Sequence, residues 1–87
     1  MNKTEVREFI VGLLKDKLLL FDITESELKD SFDLVKSGLL DSMAFIDLVA
    51  SVEEEFNIEI DFELLTGISD FTSMGGLTNY LLKLKDA

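Results

Sequence analysis

The segment "DSMAFIDLVASVEEEF" constrains this chain more than any other, because its apolar residues recur at the period of one α-helix and of nothing else. At 3.6 residues per turn, Phe45, Leu48, Val49, Val52 and Phe56 fall on one side of a helix running from Ser42 to about Phe56. Met43, Asp47, Ala50 and Glu54 fall on the opposite side, with Ile46 and Glu53 flanking them. That second face mixes apolar and acidic residues and carries no base, whereas a merely solvated face usually pairs opposite charges at i,i+4. Asp41 and Ser42 stand where the helix begins, and either side-chain oxygen can accept from the open N–H groups of its first turn.

The rest of the chain builds a small partner set for this helix. Asn2 is expected to cap a first helix, with Glu5 reaching back as in a capping box, and Val6, Phe9, Ile10, Leu13, Leu14 and Leu18 form its apolar stripe over about four turns. Between Leu19 and Asp41 the period is lost among Asp22, Asp30, Ser31, Asp33, Ser37 and Gly38. Thr24 and Glu27 have the spacing of a single capped turn, and Phe21, Ile23, Leu28, Phe32, Leu34 and Leu39 supply packing. An ordered loop lying across a helical bundle is therefore expected. "NIEI" after Phe56 alternates but has no second strand to pair with, so it reads as a turn. A short third helix is expected from Asp61 to about Thr66, stopped by Gly67. A last helix, capped by Thr72 or Ser73, carries Met74, Leu77, Leu81 and Leu84 inward. Gly75 and Gly76 should make its first turn the loosest part of the bundle. The fold class is thus all-α: a small four-helix bundle of three longer helices and one short one, in a single domain over 1–87.

With 87 residues and 47% hydrophobic composition the chain can close a modest core. It has no proline and no tryptophan. It has neither cysteine nor histidine, which removes thiol nucleophiles, disulfides and imidazole chemistry from the bare polypeptide. The formal charge of −10 disfavours nucleic acid as a partner and favours a basic protein surface. Between Ser37 and Leu82 no Lys or Arg occurs, while Asp41, Asp47, Glu53, Glu54, Glu55, Glu59, Asp61, Glu63 and Asp70 all do. No stretch reaches the roughly 20 apolar residues of a membrane span, and "MNKTEVREF" is unlike a signal peptide, so a cytoplasmic monomer is expected.

These residues offer little with which to assemble a catalytic centre. Ser42 has no histidine to activate it, Glu53, Glu54 and Glu55 point three ways around the helix, and "DITESELKDSFD" lacks the central Gly and terminal Glu of a calcium loop. No catalytic residue and no metal site is expected. What remains is Ser42 at a helix N-terminus, where N–H groups and the helix dipole favour a phosphate attached to it.

At these residues the chain resembles the acyl carrier protein family. "DSMAFIDLVASVEEEFNIEI" matches the family's serine-initiated, acid-rich helix, and the likeness runs through the long loop, the short helix and "FTSMGGLTNYL". The resemblance implies that Ser42 is the attachment site of 4′-phosphopantetheine, transferred from coenzyme A by a separate magnesium-dependent transferase. The chain would then be no enzyme but a carrier of acyl or aminoacyl cargo as thioesters, served by enzymes with basic docking patches. Asp41, Met43, Ile46, Asp47, Glu53 and Glu54 become the partner surface, and Phe45, Val49, Val52 and Ile68 a candidate lining for sheltered cargo. An acyl role in fatty-acid, specialised lipid or polyketide synthesis stands first. Ala44, where fatty-acid carriers usually have an acid, and "GLLDS" keep an aminoacyl role of the D-alanyl or peptidyl type as the alternative. A non-modified acidic interaction module is the third reading.

Overall fold

The computed structural model describes residues 2–86. Among the described residues four α-helices occur in the order α1 (Lys3–Leu20), α2 (Ser42–Phe56), α3 (Phe62–Thr66) and α4 (Met74–Asp86), with one 3₁₀ turn at Glu25–Glu27. The all-α bundle read from periodicity is the observed fold.

Asn2 caps α1 as expected, its side chain accepting the N–H of Glu5 at 2.9 Å, but the return bond from the Glu5 carboxylate that would complete a capping box is not found among the described residues. It runs through Leu20 and is closed by a left-handed residue, Asp22 at φ 56°, with the Ile23 N–H returning to the Leu18 carbonyl at 2.9 Å. Two positions differ from the sequence expectation. Leu13 is exposed and Val11 is buried in its place, because α1 is covered on both flanks, by α2 and by α4. Phe21 is also exposed, since the helix end carries it past the body of the bundle, so Ile23, Leu28, Phe32, Leu34 and Leu39 pack the loop without it.

The first half of the long loop is held by bonds of its own and by bonds to α1. The Glu27 carboxylate accepts the Thr24 N–H at 2.7 Å, and Arg7 of α1 donates to the Leu28 carbonyl. Lys3 and Asp30 form an exposed ion pair at 2.8 Å, of a kind worth at most about 1 kcal/mol.

α4 corrects the expectation of a loose first turn. The Met74 N–H donates to the Phe32 carbonyl, the Gly75 N–H to the Asp30 carbonyl, and the Gly76 N–H to the Ser73 Oγ, each at 2.9 Å. Ser73 thus caps the helix, and both glycines are buried because the loop backbone lies directly against them. A Cβ on Gly76 would overlap the Asp70 carbonyl oxygen, and one on Gly75 would stand 2.8 Å from the Asp30 Cβ. The glycines are there for close approach, and the cost in helix propensity is offset by bonded amides.

One core joins these elements. Val6, Ile10, Leu14, Val49, Val52, Leu65, Met74, Leu77 and Leu81 are essentially inaccessible, joined by Leu28 and Leu34 from the loop. Phe9 and Phe56 meet edge-to-face at 5.6 Å between ring centroids. The Tyr80 hydroxyl, in turn, lies within bonding distance of the Asp61 backbone and ties α4 to the start of α3. No helix among the described residues is long and apolar enough to cross a membrane.

Candidate functional site

The approach to Ser42 is built by "GLLDSM" residue by residue. Gly38 turns the chain at φ 86°, a conformation that side chains resist. Leu39 and Leu40 are both buried, and the Leu40 N–H donates to the Leu34 carbonyl at 2.8 Å, which fixes the last residues before the helix. Asp41, not Ser42, is the N-cap: its Oδ1 accepts the Ala44 N–H at 2.7 Å. Ser42 is therefore the first helical residue, with its hydroxyl released from capping duty and its side chain exposed. The N–H groups of Ser42 and Met43, in the first turn of a 15-residue helix, have no i−4 carbonyl within the helix to meet.

Beside Ser42 opens an apolar cavity of about 230 Å³. Ser42, Phe45 and Ile46 of α2 form one wall, Phe62 and Thr66 of α3 another, and Val35, Phe71 and Thr72 from the loops the rest. Phe45 and Phe71 pack edge-to-face at 5.9 Å. Of the lining inferred from resemblance, Phe45 is present. Val49 and Val52 are instead sealed in the core and Ile68 packs against it, and none of the three lines the cavity. Periodicity within α2 gave no access to the walls supplied by the loops and α3. The one available signal was α3 itself, whose Phe62 and Leu64 remain exposed in a five-residue helix.

The acidic and apolar positions of α2 separate into distinct places. Met43 and Ile46 are exposed close to Ser42, at 66% and 43%. Asp47 lines a second groove, of about 250 Å³, against Leu13 and Lys17 of α1. Glu53 and Glu54 lie more than ten residues along the helix from Ser42, about 17 Å at 1.5 Å per residue. Glu54 is exposed, whereas Glu53 is half-buried and commits its Oε2 to the Ile60 N–H at 2.8 Å.

Asp33 is the carboxylate with the most elaborate surroundings. It accepts the N–H groups of Val35 and Lys36 at 3.0 and 2.7 Å, and the Thr72 hydroxyl at 2.8 and 2.7 Å to its two oxygens. Burial disfavours its charge. The Lys36 N–H, the Thr72 hydroxyl, the Val35 N–H and the Lys36 ammonium together outweigh burial and hold its pKa below the usual carboxylate value.

An exposed serine hydroxyl at the start of a long helix, with first-turn amides beside it and an apolar hollow next to it, suits a tethered phosphodiester. A family model described as "Phosphopantetheine attachment site" matches residues 8–81. The chain belongs to the phosphopantetheine-binding carrier family. As such it is a non-catalytic carrier holding a covalent 4′-phosphopantetheine group, which supplies the thiol that a chain without cysteine lacks. The carrier is also similar to the D-alanyl carrier protein of Streptococcus suis (strain 05ZYH33), with 34% identity over 56 residues. These residues cover 64% of this chain and 66% of that protein, so the match spans just under two thirds of the relative. No solved structure matches the carrier.

Proposed function

We propose that Ser42 bears the 4′-phosphopantetheine arm and that the carrier conveys a single activated amino acid, D-alanine or one like it, as a thioester. The observation that carries this choice of cargo is the 34% identity with the D-alanyl carrier protein. It moves the aminoacyl alternative ahead of the fatty-acyl role that the acidic sequence favoured. Ala44 is compatible with the same branch: it lines the groove between α1 and α2 in the place where fatty-acid carriers usually have an acid.

In this reading the Ser42 Oγ acts once, attacking the β-phosphorus of coenzyme A with loss of adenosine 3′,5′-bisphosphate on a separate transferase, and afterwards only holds the arm. Met43 and Ile46 give partner enzymes an apolar foothold beside the arm, while Asp41, Asp47 and Glu54, with the partly committed Glu53, steer basic patches toward it. A monomeric, single-domain carrier in the cytoplasm, beside the coenzyme A pool, completes the proposal.

A second reading has one observation of its own. The cavity at Ser42 is apolar, a better host for a short acyl chain than for an ammonium group. The two are separated by intact mass. Coenzyme A, magnesium and a broad-specificity transferase should add one arm to the wild type and none to Ser42→Ala. The loaded carrier should then gain one alanyl group from a D-alanine-activating ligase with ATP, and little from an acyl-activating synthetase with octanoate. The opposite preference would establish the acyl reading, and failure of the wild type to gain an arm would remove Ser42 from its role.

A further inference from the structure

We infer that Asp33 is a positioning residue for the tethered arm, acting through its clasp on Thr72 to set the cavity beside Ser42. The inference rests on Ser42 as the attachment point. It concerns a residue that does not itself line the cavity and lies nine positions before that serine.

Two walls of the cavity come from distant parts of the chain. Val35 belongs to the long loop, and Phe71 and Thr72 to the segment entering α4, so no single element holds them in register. Asp33 does so with one carboxylate. Its Oδ1 takes the N–H groups of Val35 and Lys36, shaping the turn that presents Val35, while both oxygens accept from Thr72, 39 residues away. The backbone repeats the link: the Leu34 N–H donates to the Thr72 carbonyl at 2.8 Å, and the Met74 N–H to the Phe32 carbonyl. Leu34 then accepts from Leu40, two residues before Ser42. The wall and the approach to Ser42 therefore hang on one node.

Loss of the clasp leaves the backbone link but frees the Thr72 side chain and the Val35 turn to separate. The cavity then loses its fixed outline, and an apolar group on the arm loses the contacts with Val35 and Phe71 that hold it away from water. Thr72 itself lines the cavity, so its substitution changes the wall directly; Asp33 does not, so its effect must be transmitted through the clasp.

The test loads full-length carrier with acetyl or octanoyl arms from the corresponding acyl-coenzyme A, using a promiscuous transferase. The methyl resonances of Val35 and ring resonances of Phe71 are followed, with the rate of thioester cleavage by hydroxylamine. In the wild type the octanoyl arm should shift both residues and be cleaved several-fold more slowly than the acetyl arm. Asp33→Ala and Thr72→Val should each abolish the shifts and the protection, Thr72→Ser should retain them, and the double variant should be no worse than either single one, as coupled partners require. Thr72→Val leaves the Asp33 bonds to Val35 and Lys36 in place, which keeps the loop turn intact if Asp33→Ala fails to fold. Wild-type protection in folded Thr72→Val, or a wild-type octanoyl arm that leaves Val35 and Phe71 unshifted, would overturn the inference. Absence of any arm by intact mass would instead refute Ser42 as the attachment point.

Discussion

The Glu53 Oε2 accepts the Ile60 N–H at 2.8 Å, so an acid on the outward side of α2 also serves the turn that follows it. That bond separates two neighbours that look alike in sequence. Glu53→Ala should destabilise the fold by about 1–2 kcal/mol, because a half-buried backbone donor loses its acceptor. Glu54→Lys should leave thermal stability nearly unchanged and slow association with a basic partner, most strongly at low salt. Thermal melts paired with binding rates at two ionic strengths check both outcomes.

The glycines at the start of α4 are an equally sharp case. Gly76→Ala forces a methyl group into the Asp70 carbonyl and should cost several kcal/mol, about the scale of severe overpacking or more. Gly75→Ala meets the Asp30 Cβ and carbonyl at 2.8 and 3.0 Å and should be milder. In an ordinary exposed helix interior the same changes would stabilise by up to about 1 kcal/mol, so urea midpoints that fall in both variants identify packing as the cause.

Asp33 carries a pH signature. Its folded pKa lies below the ordinary value, so its carboxylate binds fewer protons when folded than when unfolded. The stability it contributes is complete above the unfolded carboxylate pKa of about 3.9 and fades as pH falls through the lower, folded value. The stability gap between wild type and Asp33→Asn should therefore be constant from neutral pH down to the ordinary carboxylate range and close below it. A gap that persists unchanged at the acid end would show that the bonds to Asp33 do not depend on its charge.

Much of this architecture was written locally. α2 begins and ends where its apolar period and flanking polar residues place it, and Asp61 and Gly67 bound α3 as their types suggest. Ser42 stood out for the same reason, as a polar residue opening the most regular helix. What could not be read locally depends on residues far apart in sequence. That Asp41 rather than Ser42 caps α2 depends on how the chain enters the helix after the buried Leu39 and Leu40, which neither residue type announces. Gly75 and Gly76 read as weak helix formers until the crossing loop is seen against them. The cavity walls from Val35, Phe62 and Phe71 meet only in three dimensions, and no spacing within α2 announces them.

The carbonyls of Asp30 and Phe32 complete the amide end of α4 in place of residues of its own helix. A loop and a helix that share terminal bonds each open at a cost to the other. Excursions of the segment around Asp30–Leu34 strip the first amides of α4 of their acceptors, which couples fraying of that turn to opening of the loop. The segment that leads to Ser42 thus borrows its persistence from a helix more than thirty residues downstream, and motion at the serine is metered by the far end of the chain.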